Sequence, residues 1–257
     1  MGSVISRFMD GSATITLSDP SLARATMQED RFFASVPHWL YIGDTALHLC
    51  AAALRVELAR LLLKHGADVN AANRRGLRPL HYACDPRPKT RGVWNPSRQG
   101  KLIDLLVKSG ADVDTVSNDG VTPLHRAVRA RSPVAVKNLL RAGADVNARI
   151  KRKGSTPLHL STQSTGAGGT AGTLAEQLEI IQLLLAHGAN PKAKDARGRS
   201  PIDWANKVEV RQLLKAGGPK KYSQAGTSTH SWFDYSAHSF RLPPWSVPKP
   251  SVHPWRV

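Results

Sequence analysis

Four histidines recur in this chain with near-regular spacing: His48, His81, His125 and His159. Imidazole is the commonest metal ligand and a frequent general base, so the set invites a chemical reading. A metal site, however, needs three or four ligands converging on one point. These four stand at matching positions of successive segments, 33, 44 and 34 residues apart, and read as structural. Cys50 and Cys84 follow two of them closely but form no C-x-x-C pair, so they read as small buried hydrophobes. His65 and His187 each precede a glycine, where the end of a helix favours positive charge. Gly166-Ala167-Gly168-Gly169-Thr170-Ala171 fits a dinucleotide-binding pattern loosely, but no strand precedes it and no lysine makes it a phosphate loop. It reads as a linker. There is no H-E-x-x-H, no G-x-S-x-G and no pair of acids placed for proton transfer. The expectation is a non-enzymatic chain with no catalytic residue, no cofactor and no metal.

The elements that carry these residues repeat. Thr45-Ala46-Leu47-His48, Arg78-Pro79-Leu80-His81, Thr122-Pro123-Leu124-His125, Thr156-Pro157-Leu158-His159 and Ser200-Pro201-Ile202-Asp203 align, with first residues 33, 44, 34 and 44 apart. Downstream of each comes a glycine: Gly66, Gly110, Gly143, Gly188 and Gly217, the first three opening a Gly-Ala-Asp-Val run. The underlying period is 33, with insertions of about 11 residues in the second and fourth copies and of one in the third. Proline at the second motif position suits the first turn of a helix, where no amide donor is required and φ is preset. Apolar residues fall seven, four and three positions before each glycine, as in Ile103, Leu106 and Val107. That is one helical stripe repeated five times, and stacking the copies would merge the stripes into one core. Each glycine can take the left-handed conformation that ends a helix.

The period together with these two motifs resembles ankyrin repeats, over about residues 41–217. The resemblance implies an all-α solenoid of five ankyrin-like repeats, each a helix-turn-helix unit with a β-turn finger. It also implies that the repeat histidine bridges backbone groups of neighbouring turns. Ala46 and Arg78 depart from the motif, and the fifth copy is shortened.

The flanks differ in character. Residues 1–40 carry three basic and four acidic side chains, and Asp19-Pro20 could open an N-terminal capping helix over Leu22–Ala34. The insertions are placed near 85–100 and 161–173, between the two helices of their repeats. Residues 218–257 hold 6 of the 17 prolines and 7 of the 15 aromatics, and read as an irregular tail. The tail could dock a partner in polyproline form or fold back on the last repeat. It does not resemble the C-terminal helical box of ankyrin-type ubiquitin-ligase adaptors.

Composition limits the remaining choices. With 257 residues, 41% apolar and 21% charged, the chain is neither a disordered polyelectrolyte nor a membrane bundle. Neither a secretory signal nor a transmembrane span is visible, so an intracellular, membrane-free monomer is expected. The departure from average is a net charge of +17, most of it between residues 41 and 217. Basic residues gather at repeat junctions: Arg74, Arg75 and Arg78; Lys151, Arg152 and Lys153; Arg197 and Arg199. The resemblance places these junctions as fingers flanking a concave face, and places Arg126, Arg129 and Arg131 on that face. These eleven residues are the candidate partner-binding set. The expected function is protein–protein interaction with an acidic partner, through the concave face and fingers. The alternative is nucleic acid on the same basic surface, although no groove-reading motif or interleaved aromatics accompany the charge.

Overall fold

Each repeated motif starts a helix for reasons carried in its own atoms. In the computed structural model, which describes residues 24–28, 31–33, 38–85, 95–163 and 174–217, the motif threonine stands just outside the helix with extended backbone. The histidine three residues on turns its ring back, so that Nδ1 accepts the amide of Thr45, Arg78, Thr122 or Thr156 at 3.1–3.3 Å. Glu or Gln usually plays this part in a capping box. Pro79, Pro123, Pro157 and Pro201 occupy first helical positions.

The motifs open α1 (Ala46–Ala52), α3 (Pro79–Ala83), α5 (Pro123–Arg129), α7 (Pro157–Thr162) and α9 (Pro201–Trp204). Their partners are α2 (Val56–Lys64), α4 (Pro96–Lys108), α6 (Pro133–Arg141), α8 (Leu174–Ala186) and α10 (Val208–Ala216). First helices pack on first helices and second on second, giving two layers of five. The apolar stripe lies between them: Ala59, Ile103, Val136, Ile181 and Val210, seven residues before each glycine, are all fully buried. Leu213, of the last stripe, stays partly exposed because no further described repeat covers it.

Three sets of bonds join neighbouring repeats. The histidine's second nitrogen donates to a carbonyl of the next finger: His48 to Leu77, His81 to Val121 and His159 to Arg199, at 2.9–3.0 Å. Finger backbones bond in file, Arg74 N to Ile42 O, Asn118 N to Arg75 O, Lys151 N to Asp119 O and Ala196 N to Lys153 O. On the opposite loops Asn70 grips Gly110 O and Asp112 N, and Asn147 grips Gly188 O and Asn190 N. Close approach of the fingers demands glycine. Gly120 has φ +78°, and a Cβ there would lie 2.7 Å from Lys151 N.

Two expectations change. No helix occupies the described part of 22–34; Arg31–Phe33 (β1) pairs antiparallel with His38–Leu40 (β2), and Met27 exchanges backbone bonds with Gly43 and Asp44. Thr26 and Met27 thus pair with the first finger through an isolated antiparallel bridge, at a finger edge that offers unpaired amides and carbonyls a helix cannot meet. The first insertion zone is likewise shorter than 85–100. Pro96–Gly100 belong to α4, which like α8 has 13 residues against nine for α2, α6 and α10. Residues 86–94, 164–173 (with the Gly-rich run) and the tail from 218 lie outside the described residues. No helix among the described residues is long and apolar enough to cross a membrane.

Burial keeps the four repeat histidines neutral. Desolvation is the first cause in each, lowering His81 to about 3 and His125 to about 4, and lowering His48 and His159 as well. In the unfolded chain the same rings titrate near 6.5. The folded state therefore binds fewer protons below that value, and stability rises with pH there. Full stability is expected above about pH 6.5, declining as pH falls from there towards 4 by about 1.4 kcal/mol per pH unit for His81 and for His125. Urea melts across this window check it, and His81→Gln should make the slope shallower.

Candidate interaction site: the row of basic fingers

A finger is built by a short polar residue that folds the chain around its own side chain. Asn73 Oδ1 accepts the amides of Arg75 and Leu77, and Asp195 Oδ1 those of Arg197 and Arg199, all at 2.8–3.0 Å. Ser117 Oγ does the same for Val121. With the side chain turned inward, the residues between are pushed out into solvent. The second finger presents Arg74 and Arg75, the third Asn118 and Asp119, the fourth Lys151, Arg152 and Lys153, and the fifth Arg197; all are exposed.

The fourth finger is built differently. Ile150 N bonds to Ser155 O across five residues, where the other three closures span four. Ile150 has no side-chain oxygen to fold the turn. The added residue lengthens the tip to three consecutive cations. In this finger His125 Nε2 is left buried without a hydrogen-bond partner among the described residues.

The candidate basic residues separate into two groups. Arg74, Arg75, Lys151, Arg152, Lys153 and Arg197 are on the tips; Arg75 also stacks over Tyr41, 4.9 Å from the ring centre, and donates to its hydroxyl at 2.9 Å. The others serve the fold. Arg78 reaches Asp112 of the next repeat at 3.5 Å. Arg199 holds the carboxylate of Asp195 and lies over Trp204, 4.9 Å from the ring centre. Partial desolvation pushes the Asp195 pKa up, but the amides of Arg199 and Arg197, with the Arg199 and Trp204 side chains, hold it well below the usual range.

Arg126 and Arg129 both donate to Asp85 Oδ2, at 2.7 and 2.9 Å, and the Asp85 side chain is only 9% exposed. Arg131 is a correction to the candidate set, because it is buried and leaves the surface altogether. Its guanidinium donates to Ser161 O and Gln163 O, and desolvation lowers its pKa from the ordinary arginine value. Its backbone is left-handed, φ +57°, a conformation costly without glycine. Repeat three therefore clamps both neighbours at the ends of their first helices, where the two long insertions begin.

Two glutamines complete this clamp, and both were overlooked in the sequence. Gln99 is fully buried and Gln177 is 3% exposed; they donate to Ala83 O and Ser161 O at 2.9 Å. Each stands eleven residues before its closing glycine, in the extra turn of α4 or α8. That shared offset was the available signal. Asp44 was missed too: it is fully buried and accepts from Asn73, Tyr82 and the Tyr41 amide at 2.7–2.8 Å. Cys50 is buried and its thiol is pushed up to about 12, with Cys84 raised likewise, so neither is a ready nucleophile. His48, His81 and His159 use both ring nitrogens in bonds to the protein, leaving none for a metal.

Comparison with known proteins follows this geometry. Residues 24–88 and 95–195 match the family model for ankyrin repeats, in three copies. The chain is similar to the B-cell lymphoma 3 protein homolog of Mus musculus, 32% identical over 180 residues, 68% of this chain and 36% of that protein. It is similar to human ankyrin repeat and SOCS box protein 16, at 34% over 166 residues, 63% of this chain and 33% of that one. Human Rabankyrin-5 matches at 36% over 177 residues, 67% of this chain and 11% of that one. The chain thus covers 36% or less of the length of each of these relatives.

The division between clamp and tip can be measured. Arg131→Met keeps the apolar stem but removes donors from the buried Ser161 carbonyl and the part-buried Gln163 carbonyl, and should cost about 2 kcal/mol. Arg152→Met, on an exposed tip, should stay within about 0.5 kcal/mol of the parent. Denaturant melts that moved both variants equally would contradict the division.

Proposed function

This chain belongs to the ankyrin-repeat family, whose repeats are generally protein–protein interaction modules, and on that premise we propose that its fingers bind an acidic partner protein. The observation that carries the reading is where cations remain available after the fold has used its own. Lys151, Arg152, Lys153 and Arg197 are exposed, and none is in an ion pair among the described residues. Arg74 and Arg75 stand exposed on a second finger of the same row. Positive charge at a protruding edge speeds encounter with an acidic surface and penalises basic competitors.

Arg126 and Arg129 are spent on Asp85, and Arg131 on the Ser161 and Gln163 carbonyls, so they support the site instead of forming it. The finger tips replace them as the recognition element. A nucleic acid is a poorer match, because its backbone carries charge at every step while the third finger carries Asp119. The module is proposed to be non-enzymatic, recognition being its whole activity.

The test compares the parent chain with a variant carrying Arg74→Glu, Arg75→Glu, Arg152→Glu and Lys153→Glu. The variant should lose capture of acidic proteins from nuclease-treated lysate at moderate salt, with an unfolding midpoint close to the parent's. Capture that disappears on nuclease treatment of the parent would move the assignment to nucleic acid.

A further inference from the structure

The fingers do not form a uniform positive edge. Read along the row, the second tip has two cations, the third a carboxylate, the fourth three cations and the fifth one. Asp119 is exposed, and no ion pair joins it to a cation among the described residues. Its place is held by backbone bonds on both sides, Asn118 N to Arg75 O and Lys151 N to Asp119 O. Asn118 adds a side-chain bond to Arg74 O at 3.0 Å. The glycines behind the tips admit no Cβ without a clash, with Gly76 against Asn118 and Gly120 against Lys151. The charges are therefore mounted on a ruled support.

The ruling follows from strand geometry. Each finger is two chain widths thick, and hydrogen-bonded chains lie about 4.8 Å apart, so tips recur roughly every 10 Å. An extended peptide advances about 3.3 Å per residue. Successive tips thus match roughly three residues, and tips two apart roughly six.

We propose that the finger row selects an extended acidic segment of a partner protein by charge register. Resting on the acidic-partner reading, this adds a pattern: one acidic cluster on the second finger, another about six residues on at the fourth. A neutral or basic residue lies between them, opposite Asp119. A single further acid about three residues past the second cluster meets Arg197. A segment with unbroken acidic charge gains at the cationic tips and loses at the third, and so does a phosphate backbone.

The full chain is titrated against two labelled synthetic peptides of equal composition at about 50 mM salt, where screening extends past 10 Å. One has two Glu-Glu-Glu clusters separated by the three-residue spacer Gly-Lys-Ser, so that the cluster centres lie about six residues apart with Lys midway. The other has the six Glu residues contiguous and the Lys at one end. The spaced peptide should bind about threefold or more tighter, the scale of a few rim charge pairs. Asp119→Lys should erase or reverse that preference, and the thermal midpoint of this exposed-tip variant should match the parent's. Equal binding of both peptides, unaffected by Asp119→Lys, overturns the register while leaving an acidic partner in place. Binding of neither peptide overturns both readings. A single-stranded oligonucleotide of equal charge that binds tighter than both peptides also overturns both, in favour of nucleic acid.

Discussion

The structure hangs on an imidazole that serves two masters. Nδ1 accepts the first amide of its own helix while Nε2 donates to a carbonyl in the next finger. Only the neutral ring with its proton on Nε2 can do both. A charged ring would lose the cap, because both nitrogens would then donate. Burial, which disfavours the charged form, is therefore part of the joint. Two of the rings gain a further neighbour in the next repeat, His48 edge-on to Tyr82 and His159 to Trp204. Asp203 stands at the same place in the fifth copy and caps the Ser200 amide, but an ionised carboxylate has no proton to offer onward. The series of histidine bridges stops there.

Because that joint fixes the base of each finger, it also fixes what the tip presents. The junction between the third and fourth repeats shows the consequence of loosening it. One extra residue puts a third cation on the tip, and at this finger His125 Nε2 makes no hydrogen bond. Other bonds keep this finger in line: Arg149 reaches Lys194 O at 2.6 Å, and the backbone file continues on both sides. A bridge is given up at the same finger that gains most charge. Local departures from a fold's own rules fall preferentially where function is served, and this is the departure the solenoid makes.

Architecture was legible in the sequence because it rests on periodic causes. The motif proline, the capping histidine, the closing glycine and the apolar stripe each act within one repeat, so each leaves a mark at a fixed offset. The structural role of His48, His81 and His159 followed from that regularity, and the structure supplies the bonds. What stayed hidden depends on relations between repeats. Arg126 and Arg129 look like surface cations until Asp85 is brought beside them from 41 and 44 residues away. Arg131 gives no sign of burial, since its partners are carbonyls, which every residue has. The N-terminal helix expected over Leu22–Ala34 is absent from its described part for a similar reason: Thr26 and Met27 bridge to the first finger's edge, and local helix signals do not register such an edge.

The same distinction changes what the net charge means. A total of +17 describes solubility and long-range attraction. Of the eleven basic residues that stood out at junctions and first helices, five are held by the protein itself: Arg78, Arg126, Arg129, Arg131 and Arg199. A guanidinium bonded to a carboxylate or to two carbonyls is part of the joinery, and a partner could take it only by breaking those bonds. On the tips, Lys151, Arg152, Lys153 and Arg197 are in no ion pair among the described residues, and Arg75 keeps its contact with Tyr41. They are separated by Asp119, on a support whose spacing is set by backbone hydrogen bonds. Attraction depends on how many charges there are, but discrimination depends on where opposite charges interrupt them. In this solenoid the interruption is one finger wide.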